Sequence, residues 1–200
     1  MAPAPNAATD PLSVRDQLVR ATYACVARFG MAKTTVEDVV KESGLSRATI
    51  YRHFPGGREE LLREAVGWQV GEFFIRLADH VGDAHDLVEL LDRGLAFARR
   101  ALTEHELLQR MLQTEPDRLL GLLSTESVKT LPFIAAFLVP YLERARATGR
   151  LAPGVALDQA ADHLARLILS YIGANGVVDL DEPEQRRDLV ERELLGWLGG

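Results

Sequence analysis

The sequence predicts an all-α protein built in two parts, and three observations carry that prediction. From Ser13 onward, apolar residues recur at three- and four-residue spacing through most of the chain. No convincing period-2 stretch interrupts them, and Gly, Pro and small polar residues punctuate the periodic segments. The charge is also divided. Lys and Arg number 9 against 8 Asp and Glu through residue 66, but 14 against 21 beyond it. With 47% hydrophobic and 26% charged residues, the composition is that of a globular chain rather than a disordered one.

Residues 1–11 are rich in Pro, Ala and Asn without periodicity and read as a flexible arm. A first helix is expected from Ser13, with Val14, Leu18, Ala21 or Thr22, Cys25 and Phe29 on its stripe and Gly30 as its stop. A short helix over Val36–Ser43 has Thr35 as N-cap, Asp38 in the capping-box slot and Gly44 as a left-handed C-cap. Ser46 caps another short helix reaching about His53, and Pro55-Gly56-Gly57 breaks it. A long helix follows from about Arg58 to His80, then an amphipathic one over Leu87–Leu102. Shorter segments fit 105–113 and 116–123. Two apolar helices are expected at about 127–148 and 157–174, the first with a late start or a kink at Pro132 or Pro140. A last amphipathic helix covers about Glu184 to Leu198. The expected division is an arm (1–11), a head (12–57) and a larger helical body (58–200).

Several function classes fall away. Leu131–Leu142 is the longest nearly apolar stretch, holds two prolines and is too short for a bilayer. The opening MAPAPNAATDP lacks the basic and apolar regions of a secretory signal, so a cytoplasmic location without membrane contact is expected. One cysteine, Cys25, excludes a disulfide framework or an all-cysteine metal site. His80 and His85 are five apart, off the i,i+4 spacing of two ligands on one helix face. Asp79, His80, Asp83 and His85 read better as a solvated helix end than as a metal cluster. No metal, cofactor or catalytic constellation is expected, and the chain does not read as an enzyme.

The informative unit is Thr35 to Phe54, TVEDVVKESGLSRATIYRHF. Two short helices joined by a Gly-containing turn form a helix-turn-helix, whose second helix can enter the major groove of DNA. Val36, Val39, Val40, Leu45 and Ile50 point inward and set the interhelical angle. Outward on the second helix are Ser46, Arg47, Thr49, Arg52 and His53, with Ala48 near its N-terminal face. These offer donors, a bidentate guanidinium and a methyl able to meet a thymine methyl. Backbone amides at Thr35–Glu37 and Ser46–Ala48 can seat phosphates, and Lys33, Thr34 and Tyr51 would add contacts to them. The non-enzymatic rival is a helical module whose helix-turn-helix binds protein, but a basic, hydroxyl-rich second helix favours DNA.

A helix ending in FG, a TTVEDVV segment, SGLSRATIYRHF and an EELL opening a long helix resemble the N-terminal domain of the TetR family of bacterial transcriptional regulators. The motif resemblance covers about residues 14–66, and Tyr51 and Phe54 in Y-x-x-F are its most specific part. It implies a homodimer whose two heads read a palindromic operator on double-stranded DNA, with effector-released repression the usual habit. It places Thr35, Ser46, Arg47, Ala48, Thr49, Tyr51, Arg52 and His53 where the family contacts DNA. Two departures stand out. Gly57 occupies a position where the family often has lysine, which leaves Arg58 as the expected phosphate contact, and Ala48 replaces a frequent glycine.

The resemblance also implies that the body binds a small effector, often hydrophobic. Trp68, Phe73, Leu91, Phe97, Met111, Leu112, Phe133, Phe137, Tyr141, Tyr171 and Asn175 could line such a pocket, although each is also a plausible core residue. Tyr141, Tyr171 and Asn175 carry polar tips that need partners on otherwise apolar helices. For dimerisation, the expected faces are Ala135, Ala136, Leu138, Val139 and Leu142, with Leu164, Leu167, Ile168, Tyr171 and Ile172.

Overall fold

Polar caps and glycines set where each helix begins and ends. The computed structural model describes residues 13–173 and 176–198, with the side chains at 116 and 118–130 left aside, so the arm at 1–11 and Asn175 lie outside the described residues. The helices are α1 (Val14–Phe29), α2 (Val36–Ser43), α3 (Arg47–His53), α4 (Gly57–Val81), α5 (Leu87–Thr103), α6 (Glu106–Thr114), α7 (Pro116–Ala147), α8 (Leu157–Gly173) and α9 (Pro183–Asp188), and the last runs into a π-helical segment, Leu189–Leu194. Among the described residues there is no strand. The chain divides into two compact units, one ending at Gln69 and one beginning at Val70.

In the first unit α1 lays Leu18, Val19, Ala21 and Cys25 against Val36 and Val39 of α2, Ile50 of α3 and Phe54. Leu18, Ile50 and Phe54 have no exposed surface, and burying each such side chain contributes about 1.5–3 kcal/mol. The opening turns of α4 complete this core with Leu61 and Ala65, and Trp68 packs on it with its ring centroid 5.5 Å from that of Tyr23. Trp68 was an expected effector contact in the body; its packing assigns it to the head core instead. Cys25 is 1% exposed, and burial, reinforced by Glu42 and Asp38, pushes its thiol up.

In the second unit α5 contributes Leu87, Leu90, Leu91 and Leu95, α7 contributes Ile134, Leu138 and Leu142, and α8 contributes Ala160, Ala161, Leu164 and Ala165. The alanines let α8 lie close along α7. Arg186 of α9 is nearly buried, but it donates from Nε to Asp92 at 2.9 Å and from Nη1 to the Leu180 carbonyl at 2.8 Å.

Three expectations change here. The segments expected at 116–123 and 127–148 are one helix, α7, which runs through Pro132 and Pro140 without a break. Both proline rings lie on its exposed side, where water can serve the carbonyls that they leave without a donor. The last helix changes winding at Leu189, marked by the Leu195 amide donating to the Val190 carbonyl at 3.0 Å. That wider turn brings Leu194 and Leu198 onto the buried stripe of Leu189 and Val190 while Glu193 stays exposed. It closes at Gly196, where a Cβ would collide with the Arg192 carbonyl oxygen. Finally, Leu138, Leu142 and Leu164 are buried within the unit, so they are not available for an interface with a second copy. No helix among the described residues is long and apolar enough to cross a membrane.

Candidate nucleic-acid interface

The site begins with the backbone of α2 and α3. The Thr35 hydroxyl accepts from the Asp38 amide at 3.2 Å while the Asp38 carboxylate accepts from the Thr35 amide at 2.9 Å, a complete capping box. The Thr35 hydroxyl and amide together hold the Asp38 carboxyl below its ordinary value. Gly44 ends α2 at φ +68°, the left-handed conformation that a side chain resists. Two residues later the Ser46 hydroxyl accepts from the Thr49 amide at 3.1 Å and starts α3.

The orientation of α3 is then set from beneath and from one end. Ile50 and Phe54 anchor it in the core. Arg15 of α1 lies over the Phe54 ring, 4.5 Å from its centroid, donates to the His53 carbonyl at 3.2 Å and pairs with Glu64 at 2.7 Å. One guanidinium thus ties α1, the end of α3 and α4 together. The sequence reading missed Arg15, because nothing in local spacing links it to residues 38 positions away. Gln17 similarly donates to the Ser43 carbonyl at 2.7 Å and secures the end of α2.

On the outer face, Lys33, Thr35, Ser46, Arg47, Ala48, Tyr51 and Arg52 are exposed, and Thr49 and His53 are half-buried. The Ser46 and Thr49 hydroxyls are 2.9 Å apart and share a hydrogen bond. Arg47 is paired with Glu37, and its guanidinium carbon lies 5.7 Å from the Tyr51 ring centroid. A hydrogen bond to Tyr51 and the charge of Glu37 raise the Arg47 pKa above its ordinary value. Tyr51 packs in turn over Gly57, which has φ +61° and whose hypothetical Cβ would sit 3.1 Å from the ring. Glycine suits this position because the positive φ disfavours a side chain and a Cβ would sit tight against the tyrosine ring.

Two expected phosphate contacts are directed elsewhere. Thr34 is 1% exposed and its hydroxyl donates to the Gly30 carbonyl at 2.8 Å, so the hydroxyl is engaged inside the head. Arg58 donates from Nε to the Thr34 carbonyl at 2.7 Å and from Nη2 to the carbonyls of Ala32, at 3.2 Å, and Met31, while Nη1 pairs with Glu59. It closes the turn between α1 and α2, and its forked donors are committed there.

In the second unit the expected effector residues separate into groups. Leu91 and Met111 are ordinary core, at 4% and 5% exposure. Phe73 lies 5.7 Å from Phe97 and 5.3 Å from Phe74, and Phe74 lies 4.8 Å from Phe133, so Phe74, missed in the sequence, joins two of the expected rings, Phe73 and Phe133. His80 adds a ring 5.2 Å from Phe97. Phe137 and Tyr141 form a separate pair at 5.7 Å, Leu112 is exposed, and Tyr171 packs against the core. Among the described residues, no group of three or more His, Cys, Asp or Glu side chains could hold a metal ion.

Two capped helices, a left-handed glycine turn and an outward basic second helix define a helix-turn-helix protein. Residues 18–65 match the model of the bacterial regulatory proteins of the tetR family. The head of the chain is thus similar to the N-terminal domain of that family. It is 36% identical over 78 residues to an HTH-type transcriptional regulator of Mycobacterium tuberculosis, covering 39% of this chain and 38% of that one. It is 32% identical over 73 residues to the HTH-type transcriptional repressor KstR2 of Mycolicibacterium smegmatis, covering 35% and 36%. The chain thus matches well under half the length of these curated relatives. The fold extends further: the solved structure of Salmonella enterica GusR aligns over 96% of this chain and 99% of that one, with TM-score 0.61 and 25% identity.

Proposed function

We propose that this protein is a DNA-binding transcriptional repressor that grips a palindromic operator as a homodimer and releases it when a small hydrophobic effector binds. The observation that carries this reading is the outer face of α3, where Arg47, Ala48, Tyr51 and Arg52 are exposed above a fully buried Ile50. A guanidinium, a methyl and a basic flank on a short helix with a capped N-terminus suit a major groove. The near-neutral charge of the head, 9 basic against 8 acidic residues through residue 66, fits an approach to phosphate better than the acidic remainder does. Repression follows the relative named as a repressor, which matches 35% of this chain. The homodimer is supported by an exposed apolar stripe on α7, formed by Pro132, Phe133, Ala136 and Pro140, which a second copy would cover. The linked rings of Phe73, Phe74, Phe97 and Phe133 support an apolar effector. Such a ligand acts by favouring one of two arrangements, and moving a population from 1:99 to 99:1 takes about 5.5 kcal/mol of differential affinity.

Selection of bound DNA from a random pool with the full chain tests the reading. The expected product is an inverted repeat. Arg47→Ala should relax the base preference at one position per half-site, whereas Lys33→Ala should weaken all sequences alike and reduce the salt slope by about 1. A strictly monomeric protein that selects no inverted repeat at low ionic strength overturns the proposal. Half-saturation of the selected operator that stays fixed across a panel of apolar ligands removes the effector part.

A further inference from the structure

We infer that Glu37 is a positioning residue for base reading: its carboxylate, together with the Tyr51 ring, holds the Arg47 guanidinium in the orientation that grips a guanine edge. The inference rests on the DNA-binding reading above and names the device behind its specificity.

A carboxylate on a face that meets phosphate opposes binding unless it serves another purpose. Glu37 lies in the first turn of α2 and Arg47 opens α3, and their side chains are 56% and 63% exposed. An ion pair so open to water contributes little to stability, so folding alone does not account for it. The two backbone positions are fixed independently by the Thr35–Asp38 and Ser46–Thr49 caps and the turn at Gly44. Between them the guanidinium has the carboxylate at Nη1 and the tyrosine ring 5.7 Å from its carbon, and that ring is itself seated on Gly57. The supports therefore run from Gly57 through Tyr51 to Arg47 and on to Glu37.

Reading N7 and O6 of guanine takes two N–H groups of a planar fork aimed in one direction. An unsupported arginine has to be ordered at the moment of binding, for the wrong base as for the right one. A held arginine has already lost that freedom, and its aim favours the base that accepts both bonds. Glu37 engages one side of the fork and leaves further N–H groups for the base. The competing account of Glu37 is an acidic first-turn residue that complements the α2 dipole. The two accounts differ in what side-chain length should matter.

The experiment compares wild type with Glu37→Gln, Glu37→Asp, Arg47→Ala and the double variant Glu37→Gln/Arg47→Ala, as full chains, on the selected operator and its single-base variants. An unchanged unfolding midpoint establishes that each variant is folded. Glu37→Gln is expected to lower discrimination at the Arg47 base position by about tenfold, within the range that one bidentate contact carries. Glu37→Asp, one methylene short, should behave like the Gln variant, and the double variant should be no more relaxed than Arg47→Ala. Without DNA, the Arg47 side-chain N–H signal should be sharp in wild-type ¹⁵N spectra and exchange-broadened in Glu37→Gln.

An Asp variant that matches wild type overturns the inference in favour of helix-end charge. Tighter binding of every sequence by Glu37→Gln, with preferences intact, reduces Glu37 to a repulsive charge. A changed preference at a base other than the one Arg47→Ala affects makes Glu37 a direct reader. If wild type selects no sequence, the regulator reading falls and this inference with it; if wild type selects normally and the variants do likewise, only the inference falls.

Discussion

The two units are held together by different means. In the unit ending at Gln69, long-range polar tethers bind short helices: Arg15 reaches the His53 carbonyl and Glu64, Gln17 reaches the Ser43 carbonyl, and Arg58 gathers the carbonyls of Met31, Ala32 and Thr34. In the unit beginning at Val70, longer helices pack leucine against alanine, with the Arg186–Asp92 pair as the ion pair of lowest exposure among the described residues. An isolated helix of seven residues such as α3 is marginal in water. It becomes a rigid reading element only because its ends and underside are fixed by others. A seventeen-residue helix such as α8 can instead draw on a long buried face. Small size explains the density of caps and tethers in the head.

Variants can break or sharpen this contrast, and the protein carries its own reporters: of its two tryptophans, Trp68 packs in the head and Trp197 lies in the second unit. The largest effect is expected from Phe54→Ala, which empties a fully buried ring site and should cost about 3–5 kcal/mol. Denaturant unfolding of a Trp197→Phe background, in which Trp68 alone fluoresces, should show the midpoint fall. An unchanged Trp68 transition would remove Phe54 as the anchor of α3. Next is Arg186→Met, which strips the partner from Asp92 and should cost about 3 kcal/mol, read from Trp197 in a Trp68→Phe background. A near-neutral result would mean that apolar packing alone holds the second unit.

Arg58→Ala should cost about 2 kcal/mol, because carbonyls of the turn between α1 and α2 lose a charged donor. Arg58→Lys should rescue little of it, since an ammonium lacks the fork. Full rescue by lysine would point to charge rather than geometry. The smallest effect concerns pH. Thr35 lowers the Asp38 carboxyl, and the Glu89 amide followed by Arg150 lowers that of Asp86, each from an ordinary value of 3.8. A lowered folded-state value means stability that is complete above the unfolded value and lost as pH falls through the folded one. Below about pH 4 both units should therefore weaken. Asp38→Asn should flatten that decline for the Trp68 transition, and Asp86→Asn for the Trp197 transition. Identical acid limbs in wild type and both variants would detach these carboxylates from acid stability.

The same contrast explains what could be read from sequence. The head was legible because its decisive features are local: Thr35 with Asp38, Gly44, Ser46 with Thr49, and the apolar spacing from Val36 to Ile50 all fall within about twenty residues. What escaped was long-range. Arg58 resembles a free surface arginine until the fold brings three carbonyls to it, and Thr34 resembles a phosphate contact until Gly30 receives its hydroxyl. In the second unit, Pro132 and Pro140 suggested a late start or a kink, yet a proline that faces solvent leaves its helix intact. The π-helical turn after Leu189 has no periodic signature, because it arises from fitting Leu194 into an existing core. Trp68 shows the difficulty of assigning a large apolar residue between two cores by spacing alone.

The sealed position of Cys25 makes site-directed chemistry simple. With a buried, poorly ionised sulfur as the native thiol, a cysteine introduced at an exposed site such as Ala48 or Ser170 would be the group that a maleimide reaches first. Spin labels or dyes could then follow either unit in solution while the native residue stays in place.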